Sequence, residues 1–183
     1  MCDVCLLYNA KGGPAQFIRQ RKSDGWSESL AIRIMQKIRV YLDNCCLNRP
    51  FDDQRQLRVS LETQAKLFIQ SLIVKGDIEL LWSYMLELEN RKNPFENKQL
   101  SIAGFSSHAM DFIQRSDSVS KMADQFAAEG LRVADAIHLA CAINGGADFF
   151  ITTDDKILKF PLLSIQIIDP ITLIKTLDDR GVK

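Results

Sequence analysis

The chain reads as a three-layer α/β/α domain with a mostly parallel, twisted central sheet. Three observations predict it. Strand-like and helix-like segments alternate along the chain, which is most economically folded as strands joined by helical crossovers. Residues 149–151 (FFI) form a short apolar run without polar alternation, as expected of a strand covered on both faces. Between 134 and 158 a helical pattern, a double glycine, that strand and two acids (Asp154, Asp155) follow one another, so carboxylates fall where a strand of such a sheet gives out.

Taken in order, residues 1–34 carry Gly12, Gly13, Pro14 and a basic cluster (Arg19, Arg21, Lys22), with little periodicity. They are expected to be an N-terminal arm, either appended or the product of an upstream start, and the domain proper is expected over 35–183. A short helix over 27–35, capped by Ser27, fits the pattern. Residues 38–42 (IRVYL) are β-branched and aromatic and read as the first strand, which delivers Asp43 at its C-terminal end. Residues 44–46 read as loop and 48–53 (NRPFDD) as turn chemistry. A long amphipathic helix is expected over 54–75, with Leu57, Leu61, Ala65, Phe68 and Leu72 on its apolar stripe and Gly76 at its end.

The second strand is expected over 78–82. Ser83 then caps a helix that carries Leu86, Glu87 and Glu89 and ends before Asn93 and Pro94. A helix over 97–105 and a second short helical piece around 110–114 follow, then a helix through Ala128 capped by Asp117 or Ser118 and ended by Gly130. Ile137, Leu139, Ala140 and Ile143 recur at helical spacing until Gly145 and Gly146 stop the helix. A helical turn over 157–160, a last strand over 165–168 and a terminal helix opened by Pro170 complete the chain.

Composition sets bounds. The 183 residues suffice for one domain with a full core, and 46% hydrophobic with 25% charged residues is the balance of an ordinary globular protein. Basic and acidic residues are equal at 23 each, so bulk charge points to no partner, and any nucleic-acid surface has to be a local patch. No apolar run approaches the roughly 20 residues of a membrane span, and the first residues lack a secretory pattern, so a cytoplasmic protein is expected. The five cysteines fit reduced thiols; Cys2 and Cys5 make half of a zinc spacing, with only the adjacent Cys45 and Cys46 to complete it.

Several acids occupy comparable places: Asp43 ends the first strand, Glu89 lies in the helix after the second, Asp135 starts the helix before the 149–151 strand, and Asp154 ends that strand. Carboxylates converging on one sheet end repel one another unless a cation neutralises them. Hard divalent ions such as Mg2+ or Mn2+ prefer such oxygens and suit phosphodiester hydrolysis. Against this stands the ordinary use of single acids as helix caps. A phosphoaspartyl hydrolase also places Asp at strand ends, but the Asp-x-Asp signature is missing at Asp43-Asn44-Cys45.

Val40-Tyr41-Leu42-Asp43-Asn44, Ser83 followed six residues on by Glu89, Ala134-Asp135-Ala136-Ile137-His138-Leu139-Ala140 and Phe150-Ile151-Thr152-Thr153-Asp154 resemble, in order, the motifs of the PIN domain, especially the stand-alone bacterial kind. The similarity covers about 37–170. It implies a metal-dependent ribonuclease with Asp43, Glu89, Asp135 and Asp154 as an acidic quartet holding Mg2+ or Mn2+, and Thr152 at the family's hydroxyl position. Small PIN proteins similar to VapC toxins cut RNA and are silenced by a cognate antitoxin, so RNA, an antitoxin and a homodimeric partner are the expected associates. A catalytically silent RNA- or protein-binding module is the alternative. Glu87 competes with Glu89, and Asp155 with Asp154. Asn44 is read as contacting a ligand water or substrate, or as loop capping. Arg49, Arg55 and Arg132 are read as phosphate contacts or as solvated surface. His138, on the helix of Asp135, is expected to pack against the sheet rather than bind zinc.

Overall fold

The computed structural model describes residues 37–181. The expected arm over 1–34, the 27–35 helix, Cys2 and Cys5 lie outside the described residues.

Five strands form one sheet: β1 (Arg39–Leu42), β2 (Glu79–Ser83), β3 (Ala109–Ile113), β4 (Phe149–Ile151) and β5 (Gln166–Ile168). They lie in the order β3-β2-β1-β4-β5, and every pairing is parallel. The helices are α1 (Asn44–Asn48), α2 (Leu57–Lys75), α3 (Tyr84–Arg91), α4 (Glu96–Ser106), α5 (Asp117–Ala128), α6 (Val133–Asn144), α7 (Asp155–Leu158) and α8 (Pro170–Asp179), with a 3-10 turn at Arg49–Phe51. Among the described residues no helix is long and apolar enough to cross a membrane.

The central strands are covered on both faces, which is why they read as unbroken apolar runs. Val40, Tyr41 and Leu42 are fully buried, as are Phe150 and Ile151, and the Tyr41 and Phe150 rings stack at 5.5 Å across the β1–β4 pair. Gly145 lets the end of α6 close on the sheet: a Cβ there would come within 2.8 Å of the Ile113 side chain. The neighbouring Gly146 turns the chain at φ 70°, a conformation that favours glycine.

The structure corrects four expectations. The piece around 110–114, read as helical, falls in the edge strand β3; cross-strand pairing to β2 overrides the weak β-propensity of Met110 and Asp111. Residues 44–48, read as loop and turn, form α1, because Asp43 accepts the Asn44 N–H and caps it. Ser116, not Asp117 or Ser118, caps α5, by accepting from the Val119 N–H. Of the expected α2 stripe Ala65 and Leu72 are buried, but Leu57, Leu61 and Phe68 are exposed, and the inner face is completed by Val59, Glu62, Lys66, Ile69 and Ile73. Apolar residues surround α2, so periodicity alone did not single out the inner face. Glu62 is tolerated there because Arg58 bonds it at 2.7 Å and the Arg49 guanidinium lies 2.9 Å away. Burial pushes the Lys66 amine down to about 8.

Candidate active site

The chain winds from β1 to β2 and β3, then returns to the other side of β1 to lay down β4. Strand order therefore reverses between β1 and β4, and in open parallel sheets the crevice outside the strand ends at such a point is where ligands bind. Asp43 leaves β1 there, and Thr152, Thr153 and Asp154 leave β4.

Asp43 is only 5% exposed, and its own N–H reaches the Ile151 carbonyl at 2.9 Å, extending the sheet by one rung. Its Oδ1 accepts the Asn44 N–H at 2.7 Å. Its Oδ2 accepts the Thr152 hydroxyl at 2.9 Å and the Cys45 thiol at 3.0 Å. The Thr152 Oγ1 in turn accepts the Asp154 N–H at 3.1 Å, so one buried hydroxyl ties the ends of β1 and β4. Sequence reasoning missed Cys45; its position two residues after Asp43 signals this contact only once 44–48 is known to be helical.

Asp135 lies in the first turn of α6, and Asp154 caps α7 by accepting the Lys156 N–H at 2.8 Å. Between them stands Arg132, just before α6. Its Nε donates to Asp135 Oδ2 at 2.7 Å, and its Nη2 reaches Asp135 Oδ1 at 3.2 Å and Asp154 Oδ2 at 2.9 Å. Burial pushes the Asp135 carboxyl above its usual value; Arg132 opposes this, and the charges of Asp43 and Asp154 add to it. Asp43 and Asp154 are thus near enough for their charges to act on Asp135.

Glu89, on α3, accepts from His138 across a 3.0 Å contact between Oε2 and Nε2. The other ring nitrogen, Nδ1, lies 2.7 Å from the Tyr41 hydroxyl, which lies 2.6 Å from Ser83 Oγ. Burial alone pushes the Glu89 carboxyl up, but His138, the Asn44 amide and nearby Lys92 bring it net below the usual glutamate value. The Asn44 side chain also accepts from Asn48 at 3.0 Å.

The remaining candidates sit elsewhere. Glu87 pairs with Arg91 at 3.4 Å, beside a cavity of about 300 Å³ between α3 and α4 that none of the four acids lines. Asp155 bonds both Nη atoms of Arg58, at 2.7 and 3.0 Å. Arg49 is engaged by Glu62 and Asp52, each at 2.9 Å, and Arg55 by Asp53 at 2.7 Å. His138 is buried against the sheet, as the sequence led one to expect. Among the described residues no three His, Cys, Asp or Glu side chains are gathered as a metal-holding group. Arg132 stands between Asp135 and Asp154, and Glu89 is held by His138.

The fold and these contacts together define a parallel α/β/α protein with an acidic, arginine-bridged rim at its topological switch point. No family model matches the chain, and no curated protein does. Among solved structures it is similar to VapBC2 from Rickettsia felis bound to a DNA fragment from its promoter, at 14% identity and a TM-score of 0.49 over 72% of this chain and 98% of that one. It is likewise similar to FitAcB from Neisseria gonorrhoeae, at 16% identity and a TM-score of 0.46 over the same shares. Likeness this distant carries no argument about activity, which rests on the residues themselves.

Proposed function

We propose that the chain is a divalent-metal-dependent endoribonuclease of PIN-like fold. The observation that supports this reading is that the carboxylates of Asp135 and Asp154 lie close enough to share one cation, here the Arg132 guanidinium, with the charge of Asp43 also acting on Asp135. The donors are hard carboxylate oxygens, the chemistry that Mg2+ or Mn2+ prefers. Asp43, Asp135 and Asp154 would hold the ion, with Glu89 completing the set. A bound ion of this kind supplies an activated water and stabilises the leaving oxygen of a phosphodiester. Thr152 orients Asp43 through Oδ2, and Arg132, 67% exposed at its side chain, would meet a substrate phosphate once an ion displaced it from the two aspartates.

The sequence resemblance extends the proposal to a cytoplasmic toxin with an RNA substrate, a cognate antitoxin and a homodimeric state. One observation favours the second reading, a silent binding module: with Arg132 in place, the carboxylates are neutralised without a metal.

Cleavage of a mixed RNA pool separates the two. Wild type with Mg2+ or Mn2+ is expected to cut and to stop on adding EDTA. Asp43→Asn and Asp135→Asn are expected to lose more than the roughly 10–100-fold typical of a supporting residue. Equal cutting by wild type and both variants would remove the nuclease reading.

A further inference from the structure

His138 lies three residues after Asp135 on α6 and is buried, yet the acidic rim makes no direct use of it. We propose that His138, held by Tyr41 and Ser83, is a positioning residue that presents Glu89 to the rim; this rests on the reading of Glu89 as part of a cation site.

The argument is a proton inventory. An ionised carboxylate only accepts, so His138 Nε2 carries the hydrogen shared with Glu89 Oε2 across 3.0 Å. In the neutral ring Nδ1 then accepts, and the Tyr41 hydroxyl, 2.7 Å away, donates to it. That hydroxyl has one proton, so it accepts the Ser83 hydroxyl at 2.6 Å. Ser83 Oγ keeps a lone pair for the Leu86 N–H at 3.3 Å, the bond that caps α3. Four groups thus donate in one direction, from the cap of α3 to a carboxylate in its second turn.

Tyr41, Ser83 and His138 are at most 1% exposed, whereas the Glu89 side chain is 24% exposed. The chain therefore ends at a partly exposed carboxylate that the side chain of Asn44, the residue after Asp43, also approaches. A histidine that only filled the core would need no carboxylate, and a Glu89 that only solvated α3 would need no buried donor. With Oε2 held by His138 and the Asn44 amide also close to the carboxylate, the orientation of Glu89 is set from both sides. Such an arrangement, a buried donor fixing the carboxylate beside an ion, is how supporting residues set metal affinity.

The test is calorimetric titration of the full chain with Mn2+, using wild type, Glu89→Gln, His138→Leu, His138→Gln, Tyr41→Phe and Asp135→Asn. His138→Leu is expected to weaken Mn2+ binding about tenfold. His138→Gln, which keeps a donor near the Nε2 position, is expected to restore most of it. In the Glu89→Gln background neither change is expected to have further effect. Tyr41→Phe keeps the ring on Phe150 and removes only the hydroxyl; it is expected to weaken binding in the same direction, and only when Glu89 is present, so the proposal stays testable if His138→Leu does not fold. Nitrogen-15 NMR of wild type is expected to show the Nε2–H tautomer of His138. A bare Nε2, or His138 and Tyr41 variants equally harmful with and without Glu89, would overturn the proposal. Unchanged affinity in those variants while Asp135→Asn and Glu89→Gln weaken binding would overturn it and leave the cation site standing. No effect of Asp135→Asn or Glu89→Gln would instead remove the cation site, and the positioning role with it.

Discussion

Arg132 illustrates how a residue three positions from one acid and 22 from another comes to serve both. Its guanidinium satisfies the two carboxylates, so on the proposed function a divalent ion would have to compete with it for the same oxygens. Removing it by Arg132→Gln is expected to tighten Mn2+ binding on the order of fivefold, matching the about 1 kcal/mol of an exposed ion pair, and calorimetry reads the change. Weaker binding would instead make Arg132 a support of the site. Asp43, Asp135 and Asp154 stood out in the sequence because each falls at a strand end or helix start, and Glu89 by its spacing from Ser83. Their connections were not. Thr152 reaches Asp43 across 109 positions and Glu89 meets His138 across 49, distances over which spacing carries no information.

Among the elements, α8 shows what a single cap contributes. Asp169 accepts the N–H groups of Ile171 and Thr172 at 2.9 and 3.0 Å, together with the Thr172 hydroxyl. Burial raises its carboxyl, but the Thr172 hydroxyl and the two N–H groups bring it net below the ordinary value. A depressed folded-state value means stability that is present above the unfolded aspartate pKa of about 3.9 and is lost as pH falls through the folded one. Asp169→Ala is therefore expected to cost about 1 kcal/mol at neutral pH, and the difference from wild type should close at acid pH in denaturant titrations; a gap that persists there would place the cost in packing. Elements with a strong local signal, such as β1, β4, α6 and the Pro170 start of α8, were legible. The edge strand β3 was not, because pairing to β2 alone makes it a strand. The short α1 was missed because its stability comes from the Asp43 cap rather than from its own five residues. The inner face of α2 was hidden by apolar residues on the outer one.

For the whole molecule, parallel topology converts scattered sequence positions into one crevice. The reversal of strand order between β1 and β4 brings Asp43, Thr152 and Asp154 to one end of the sheet, and α6 leads Asp135 to the same rim. The alternation of strands and helices made this class of fold readable; the strand order itself came only from the structure. At this scale the toxin proposal predicts growth arrest on expression of the full chain, absent for Asp43→Asn and relieved by the product of a neighbouring gene. Normal growth with folded protein present would count against it.

The most direct measurement is the position of Mn2+ in a crystal of the full chain, located by its anomalous scattering. The account predicts a peak bounded by the carboxylates of Asp43, Asp135 and Asp154, with the Arg132 guanidinium withdrawn from between the last two. A crevice with no peak at saturating Mn2+, and Arg132 still bridging, would contradict it.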